Sequence, residues 1–230
     1  TGWCAVNSPD AKSRAVGIIG GIAVVAYLAA IALTPAHAPS SGSAGVSIVR
    51  YATVNRDQLL ASDLLFALGL TVLVVFAAGL HRIIRRAEAE DGWLAIASLA
   101  SVVAGAGIFG AGTALFMVVA YRPVTDPAVA RAFWDAGWLA YNSAGFAFVA
   151  WIAIVVVAAL RHRALPPWTA WIGVPVALIN LAGPFAVTAG TGAFSPQGWF
   201  ALVVGLTFAM WLVTIALAAW RSTRPPATIR

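Results

Sequence analysis

The sequence predicts an all-α fold, a bundle of six transmembrane helices that forms a single membrane domain over residues 1–230. Composition is the first reason. Hydrophobic residues make up 61% of the chain, charged residues make up 10%, and the mean hydropathy is +0.90. Because a soluble domain carries charge at about 25% of its positions, this chain is expected to use lipid as its solvent.

The second reason for this prediction is the presence of six apolar stretches that are long enough to cross a membrane. The hydrocarbon core is roughly 30 Å thick, and a helix that rises 1.5 Å per residue needs about 20 residues to cross it. A backbone inside lipid must satisfy its own hydrogen bonds, which favours helices. The predicted helices cover residues 15–33, 60–80, 93–120, 137–160, 168–189 and 199–220.

The first stretch has a second interpretation, as a cleaved signal peptide. Lys12 and Arg14 precede it, and Ala36-His37-Ala38 after it matches the A-x-A pattern of a cleavage site. An apolar run of about 19 residues is longer than the usual signal-peptide core. A membrane helix is therefore preferred.

The cations indicate orientation rather than nucleic-acid binding. The net charge is +6, but the Lys and Arg residues lie in short clusters between apolar runs and not along one face. About ten fall on one side of the predicted topology and about four, Arg50, Arg56, Arg122 and Arg131, on the other. The positive-inside rule places the richer side, with both termini, in the cytoplasm. No nucleic-acid partner is predicted.

Tryptophans mark the predicted edges of the bilayer, because their rings are half apolar and half polar. Only Trp151 and Trp211 are expected deep in the membrane. Asp126 and Pro127 resemble a helix start, so residues 127–135 are expected to form a short amphipathic surface helix with Trp134 among the lipid headgroups.

Several motifs together carry a resemblance to a known group of proteins. They are Arg50-Tyr51, Leu80-His81-Arg82, Trp93-Leu94, Asp126-Pro127-Ala128-Val129-Ala130-Arg131, and the stretch from Leu165-Pro166-Pro167-Trp168 to Gly173. In this pattern the chain resembles, from about residue 46 to 186, small actinobacterial membrane proteins of unknown function. The resemblance implies a bacterial plasma membrane, and it supplies no activity, cofactor or site residue.

The inner ends of the second and fourth predicted helices are similar to each other. Gly79-Leu80-His81-Arg82 and Ala159-Leu160-Arg161-His162 are each followed by a short link and a helix that begins near a Trp. A duplicated helical hairpin explains this similarity. The general preference of inner helix ends for basic residues and Trp explains it as well.

Small residues predict close packing of the first and third helices. Gly17 and Gly21 form a G-x-x-x-G pair. Gly105, Gly107 and Gly110 match the dinucleotide fingerprint G-x-G-x-x-G, but that motif works only between a strand and a helix. Here it lies inside a membrane helix, so these glycines are expected at helix contacts in the centre of the bundle.

Asp63 is the first candidate for a functional residue, because a charged side chain within a span costs roughly 2.5 to 3.5 kcal/mol on insertion scales. It lies about 18 residues from the inner end of the second helix, near the outer interface. It is either a hydrated interfacial carboxylate or a group that faces a cavity and pairs with Arg50, Arg56 or Arg131.

Asn142 and Asn180 are further candidates to line a ligand or cavity, since a buried amide needs hydrogen-bond partners. Asn180 serves either as a contact between helices or as part of a binding site. The second interpretation draws on Pro175 and Pro184, which flank Asn180 and are expected to open the helix backbone.

Cofactor signals are sparse. His81 and His162 occupy equivalent inner ends of two helices and would permit haem ligation if those helices were neighbours. Cys4 is the one cysteine, and Cys-His spacing typical of metal sites is absent, so no metal site is predicted.

No catalytic signature such as Ser-His-Asp, H-E-x-x-H or a P-loop is present, so an enzyme is not favoured. The leading hypothesis is a protein that binds a lipid or other hydrophobic small molecule, or that serves as an accessory subunit of a membrane protein partner. One alternative is a small-solute transporter that uses Asp63 and the proline-broken fifth helix. The other is a membrane enzyme or haem-binding subunit.

Overall fold

A computed structural model describes residues 9–40, 42–88, 92–121, 125–189, 192–196 and 198–221. Within these ranges the secondary structure consists of helices, without strands. The elements are α1 (Pro9–Leu33), α2 (Gly45–Val54), α3 (Arg56–Glu88), α4 (Trp93–Tyr121), α5 (Pro127–Arg161), α6 (Pro167–Ala182), a 3-10 segment (Gly183–Thr188) and α7 (Trp199–Arg221).

Six of these helices are long and apolar enough to cross a membrane, when α6 is counted together with the 3-10 segment. This confirms the predicted all-α helical bundle, and the chain is a multi-pass integral membrane protein. The outer surface is apolar: Trp171, Val25 and Leu178 are exposed to 71%, 68% and 65%. Such side chains are suited to contact with lipid tails.

Two membrane helices, α3 and α5, are more than ten residues longer than predicted. α3 runs from Arg56 to Glu88 and continues beyond its predicted end at residue 80 through Arg82, Arg85 and Arg86, because Arg, Ala and Glu all favour helix. α5 begins at Pro127 and absorbs the predicted surface helix 127–135, which was therefore wrong as a separate element. Its start is capped by Asp126, whose Oδ1 accepts the amide of Ala128 at 2.8 Å.

α2 lies within a stretch that the sequence pattern assigns to a loop. It spans 10 residues, too few to cross a membrane. Ile48 and Ala52, four residues apart on one face, are buried at 0% and 3% exposure. At its first residue, Gly45 lies directly on the backbone carbonyl of Pro127 in α5. A side chain at that position would separate α2 from α5.

The membrane helices form a closed ring in chain order. α1 packs on α3, α3 on α4, α4 on α5, α5 on α6 and α6 on α7, and α7 closes the ring on α1. α3 and α5 barely touch, because α4 packs extensively on both of them.

Neighbouring helices in the ring run antiparallel. The hydroxyls of Thr34, just after α1, and Ser62, near the start of α3, lie 3.0 Å apart. On the opposite side of the bundle, Gly17 near the start of α1 packs against Trp220 near the end of α7. We call the first side the α2 end. The second side is the basic end, which carries Arg14, Arg82, Arg85, Arg86, Arg161, Arg163 and Arg221.

The half of the ring nearer the basic end is filled by large side chains. Trp151 and Trp211 are both 0% exposed, so their side chains lie inside the bundle. Their ring centroids lie 5.0 Å apart with the planes at 84°. Phe76, Leu80 and Ile215, also 0% exposed, belong to the same core. The half nearer the α2 end is packed differently and encloses open space.

Candidate ligand-binding site

Two adjoining cavities lie inside the ring. The larger, of about 350 Å³, is called the acidic cavity because Asp63 lines it, together with residues from α1, α5 and α7. The smaller, of about 120 Å³, is called the apolar cavity and has walls such as Leu73, Phe148 and Phe208. The residues that line both cavities are Tyr27, Trp138, Tyr141, Pro196, Ala201 and Gly205.

Asp63 is buried, with 7% of its surface exposed, and it lines the acidic cavity from the second turn of α3. Its Oδ2 is shielded from solvent and has no hydrogen-bond partner among the described residues. The neighbouring Ser62 does not help, because its hydroxyl donates to the carbonyl of Ala30 at 2.9 Å. A carboxylate in this position is short of partners.

The predicted pairing of Asp63 with an arginine was wrong. Arg56 pairs with Asp57 at 3.1 Å, and Arg131 pairs with Asp135 at 3.5 Å, one turn further along its own helix. Arg50 is exposed on α2 and does not line either cavity. Each of these three cations lies at the surface of the α2 end, where water and local carboxylates satisfy it more cheaply than a buried group would.

Aromatic rings form a continuous wall beside Asp63. Phe66, one turn further along α3, contacts Tyr27 and Tyr141 with centroid distances of 5.8 and 6.1 Å. Phe109 of α4 lies against Tyr141, with ring centroids 3.7 Å apart and the planes tilted by 42°. Phe116 continues the wall toward the α2 end, 5.2 Å from Trp138. Tyr27, Phe66, Phe116, Trp138 and Tyr141 line the acidic cavity, and Phe109 lines the adjoining apolar cavity.

The connection from α1 to α2 closes over the acidic cavity. Trp134 donates its indole N–H to the carbonyl of Pro39 at 3.1 Å, and Tyr51 donates its hydroxyl to the carbonyl of Pro35 at 2.9 Å. Burial raises the pKa of Tyr51 to about 12, and the negative charge of Asp63 adds to the rise. Trp134 is 2% exposed, so its predicted place among the headgroups was wrong.

The two candidate asparagines line the apolar cavity. Asn142 donates to the carbonyl of Trp138 in its own helix at 2.8 Å. Asn180 donates to the carbonyl of Val176 at 2.9 Å and reaches the hydroxyl of Thr207 in α7 at 3.3 Å. Asn180 thus joins α6 to α7, and it also faces the space between them.

The helix break lies on one side of Asn180 only. α6 continues through Pro175, whereas it gives way to the 3-10 segment at Gly183 and Pro184. Both of these residues line the apolar cavity. The expectation of an opened backbone therefore holds at Pro184 and was wrong at Pro175.

The predicted packing glycines separate into two groups. Gly17 lies against Ala216 and Trp220 of α7, and Gly105 lies against Phe148 of α5. A Cβ on Gly21 or Gly107 would meet no atom within 4 Å, and one on Gly110 would meet only Leu70 at 3.9 Å. The predicted contacts of Gly21 and Gly107 were wrong, because open space lies beside both positions.

The fold does not place the two candidate haem ligands on neighbouring helices. His81 lies in α3, and His162 caps the end of α5. α4 separates these helices along most of their length. In the described part of the chain, no three His, Cys, Asp or Glu side chains form a group that could hold a metal ion.

Sequence reasoning missed the aromatic wall, although α5 carries a signal for it. Trp134, Trp138 and Tyr141 are spaced by four and three residues, which places them on one face of a helix. That face points into the ring and contributes to the acidic cavity. The contribution of α1 was also missed. Its Tyr27 lines both cavities, but in the sequence it resembles an ordinary residue of an apolar span.

Comparison with known proteins gives no relative from which a role could be transferred. No protein-family model, no curated protein and no solved structure matches this chain.

Proposed function

We propose that this protein binds a hydrophobic small molecule inside its helix ring and acts as a binding protein rather than an enzyme. The observation that carries the proposal is the pair of adjoining cavities, of about 350 and 120 Å³, in a ring whose other half is filled by large buried side chains. Ligand pockets are mostly apolar, with a small number of polar groups that fix orientation. Here those groups are Asp63, Asn142 and Asn180.

We also propose that the α2 end faces away from the cytoplasm of a bacterial cell. The arginines at the basic end support cytoplasmic termini by the positive-inside rule, and the resemblance to small actinobacterial membrane proteins supports the plasma membrane. In this orientation the acidic cavity lies close to the external surface. A hydrophobic molecule would reach it from the outer leaflet or from outside the cell.

Analysis of molecules that copurify with the protein tests the binding proposal. The protein is extracted in dodecyl maltoside, washed and analysed by mass spectrometry after organic extraction. Gly205 lines both cavities, and a Cβ there would stand 3.0 Å from the Tyr27 hydroxyl. Gly205→Leu should therefore remove the bound molecule. Gly107→Leu is the matched control, since nothing lies within 4 Å of its Cβ position.

An equal amount of bound molecule in all three proteins would contradict the binding proposal. If wild type, Gly205→Leu and Gly107→Leu carry the same molecules in the same amounts, binding occurs on the outer surface and the proposal is wrong. Ala201→Leu gives an independent check, because Ala201 also lines both cavities from one turn earlier in α7.

Transport of the bound molecule is the second candidate, favoured by the break in α6 at Gly183 and Pro184. Broken helices that border a cavity near the middle of the membrane are typical of transporter binding sites. Transport requires passage through the end of the ring that Trp151 and Trp211 fill. Flux of the copurified molecule into proteoliposomes would support transport, whereas retention without flux would support binding alone.

A further inference from the structure

We infer that the ligand is a hydrophobic organic cation, an amine or quaternary ammonium compound, whose charged group is held at Asp63 while its apolar part extends toward the apolar cavity. This inference rests on the proposed binding function. It adds the chemical class of the ligand and the residue that recognises it.

The first step is the unmatched charge. Asp63 is 7% exposed, and its Oδ2 has no hydrogen-bond partner among the described residues. A buried carboxylate is costly unless it is paired. Arg56 and Arg131 pair with other carboxylates, and His37, which lines the mouth of the same cavity, is exposed and makes no described ion pair with Asp63. A bound cation would supply the missing partner.

The second step is the kind of cation. Ca²⁺ and Mg²⁺ need about six oxygen ligands, whereas no cluster of three acidic or metal-ligating side chains is present in the described residues. The acidic cavity instead offers rings, among them Tyr27, Phe66 and Tyr141. Aromatic faces attract organic ammonium groups through cation–π interaction, and they do so best where water is excluded.

The third step is the shape of the space. The acidic cavity shares Tyr27, Trp138 and Tyr141 with the apolar cavity, which is lined beyond them by Leu70, Leu212 and other apolar residues. A molecule with its cation at Asp63 can thus place an aromatic or alkyl part against apolar walls. An inorganic cation has no apolar part that could contact these walls.

Binding of a matched pair of probes tests the inference. Benzyltrimethylammonium and neopentylbenzene have the same shape and differ in charge, because a quaternary carbon replaces the nitrogen. Their affinities are measured by isothermal titration calorimetry on the full chain in dodecyl maltoside. Wild type should bind the cation, and Asp63→Asn should weaken that binding at least ten-fold while leaving the affinity for the neutral probe unchanged.

Two further variants complete the experiment. Asp57→Asn is the matched control, since Asp57 lies on the same helix with its side chain 92% exposed, and it should change neither affinity. Phe66→Leu keeps the carboxylate and removes a ring face, so the ratio of cation to neutral affinity should fall about two- to five-fold. This second readout stands even if Asp63→Asn does not fold.

The inference is overturned if Asp63→Asn binds both probes as wild type does, or if it weakens both probes equally. It is also overturned if wild type binds only the neutral probe. If Gly205→Leu then abolishes binding of the neutral probe, that probe binds in the cavities, and the proposed binding function still holds. Failure of the two proposals is therefore distinguishable.

Discussion

Trp151 of α5 donates its indole N–H to the hydroxyl of Ser98 in α4, with 3.0 Å between Nε1 and Oγ and both residues 0% exposed. Ser98→Ala leaves that donor unpaired in the middle of the ring. We expect the free energy of unfolding to fall by about 1 kcal/mol, between the average for interhelical hydrogen bonds in membranes and the cost of an unsatisfied buried donor. Ser143→Ala is the control, because Ser143 is exposed and bonds only within its own helix. Equal losses in detergent unfolding would contradict the prediction.

Gly17→Leu should separate α1 from α7. A Cβ on Gly17 would stand 2.5 Å from the Cβ of Trp220 and 2.8 Å from the carbonyl oxygen of Ala216, and a clash with backbone cannot relax by rotation of a side chain. We expect a loss of about 1 to 3 kcal/mol. Gly107→Leu should leave the melting temperature unchanged, and a comparable drop in that variant would show that Gly107 packs on something in the membrane.

Glu88 should stabilise the start of α4. Its carboxylate accepts the backbone amides of Leu94 and Ala95, each at 2.9 Å, and so caps the start of α4 from the end of α3. Glu88→Ala should cost about 1 kcal/mol, as loss of a helix cap does, and Glu88→Gln should cost less because one acceptor remains. The exposed Arg86 gives the control, since Arg86→Ala should change stability by less than about 0.5 kcal/mol.

Two adjacent residues of α3 should respond in opposite directions in ligand-free protein. Ser62→Ala removes the hydroxyl contacts with Ala30 and Thr34, so the melting temperature should fall. Asp63→Asn removes a buried carboxylate that lacks a partner, so stability should rise by roughly 1 kcal/mol. Destabilisation by Asp63→Asn would indicate that Asp63 already has a partner within the protein.

Reporter fusions test the orientation. The clusters of arginine at the basic end should hold that end in the cytoplasm, so successive fusions should alternate between outside and inside, beginning outside. An external signal from the second or fourth fusion would reverse the proposed topology. The fusion points, in order, are Gly42, Glu88, Asp126, Ala164, Ser195 and Arg230.

Hydropathy was sufficient for the six spans, because lipid penalises any uncompensated polar group along a helix. The starts of α4 at Trp93 and α7 at Trp199 follow the prediction for the same reason. Asp63 was identified as a candidate site residue by the same argument, since a charge within an apolar run is conspicuous.

The surroundings of Asp63 could not be predicted, because they depend on contacts between distant parts of the chain. Arg131 has a carboxylate four residues away and uses it, although nothing in the sequence excludes Asp63 as its partner. Trp134 has the pattern of an interfacial residue, but its side chain is buried. Its indole N–H donates a hydrogen bond to the carbonyl of Pro39, which lies 95 residues earlier in the chain. Local periodicity carries no information about such a contact.

Pro184 restricts how the molecule can move. A Cβ on Gly145 would stand 2.7 Å from the Cγ of Pro184, so the proline ring occupies a notch in α5 that glycine leaves open. The break in α6 is therefore anchored and does not act as a free hinge, and the 3-10 segment and α5 are expected to move as one body. Exchange of a bound molecule would then depend on the α1–α2 connection, which the hydrogen bonds of Tyr51 and Trp134 hold in place.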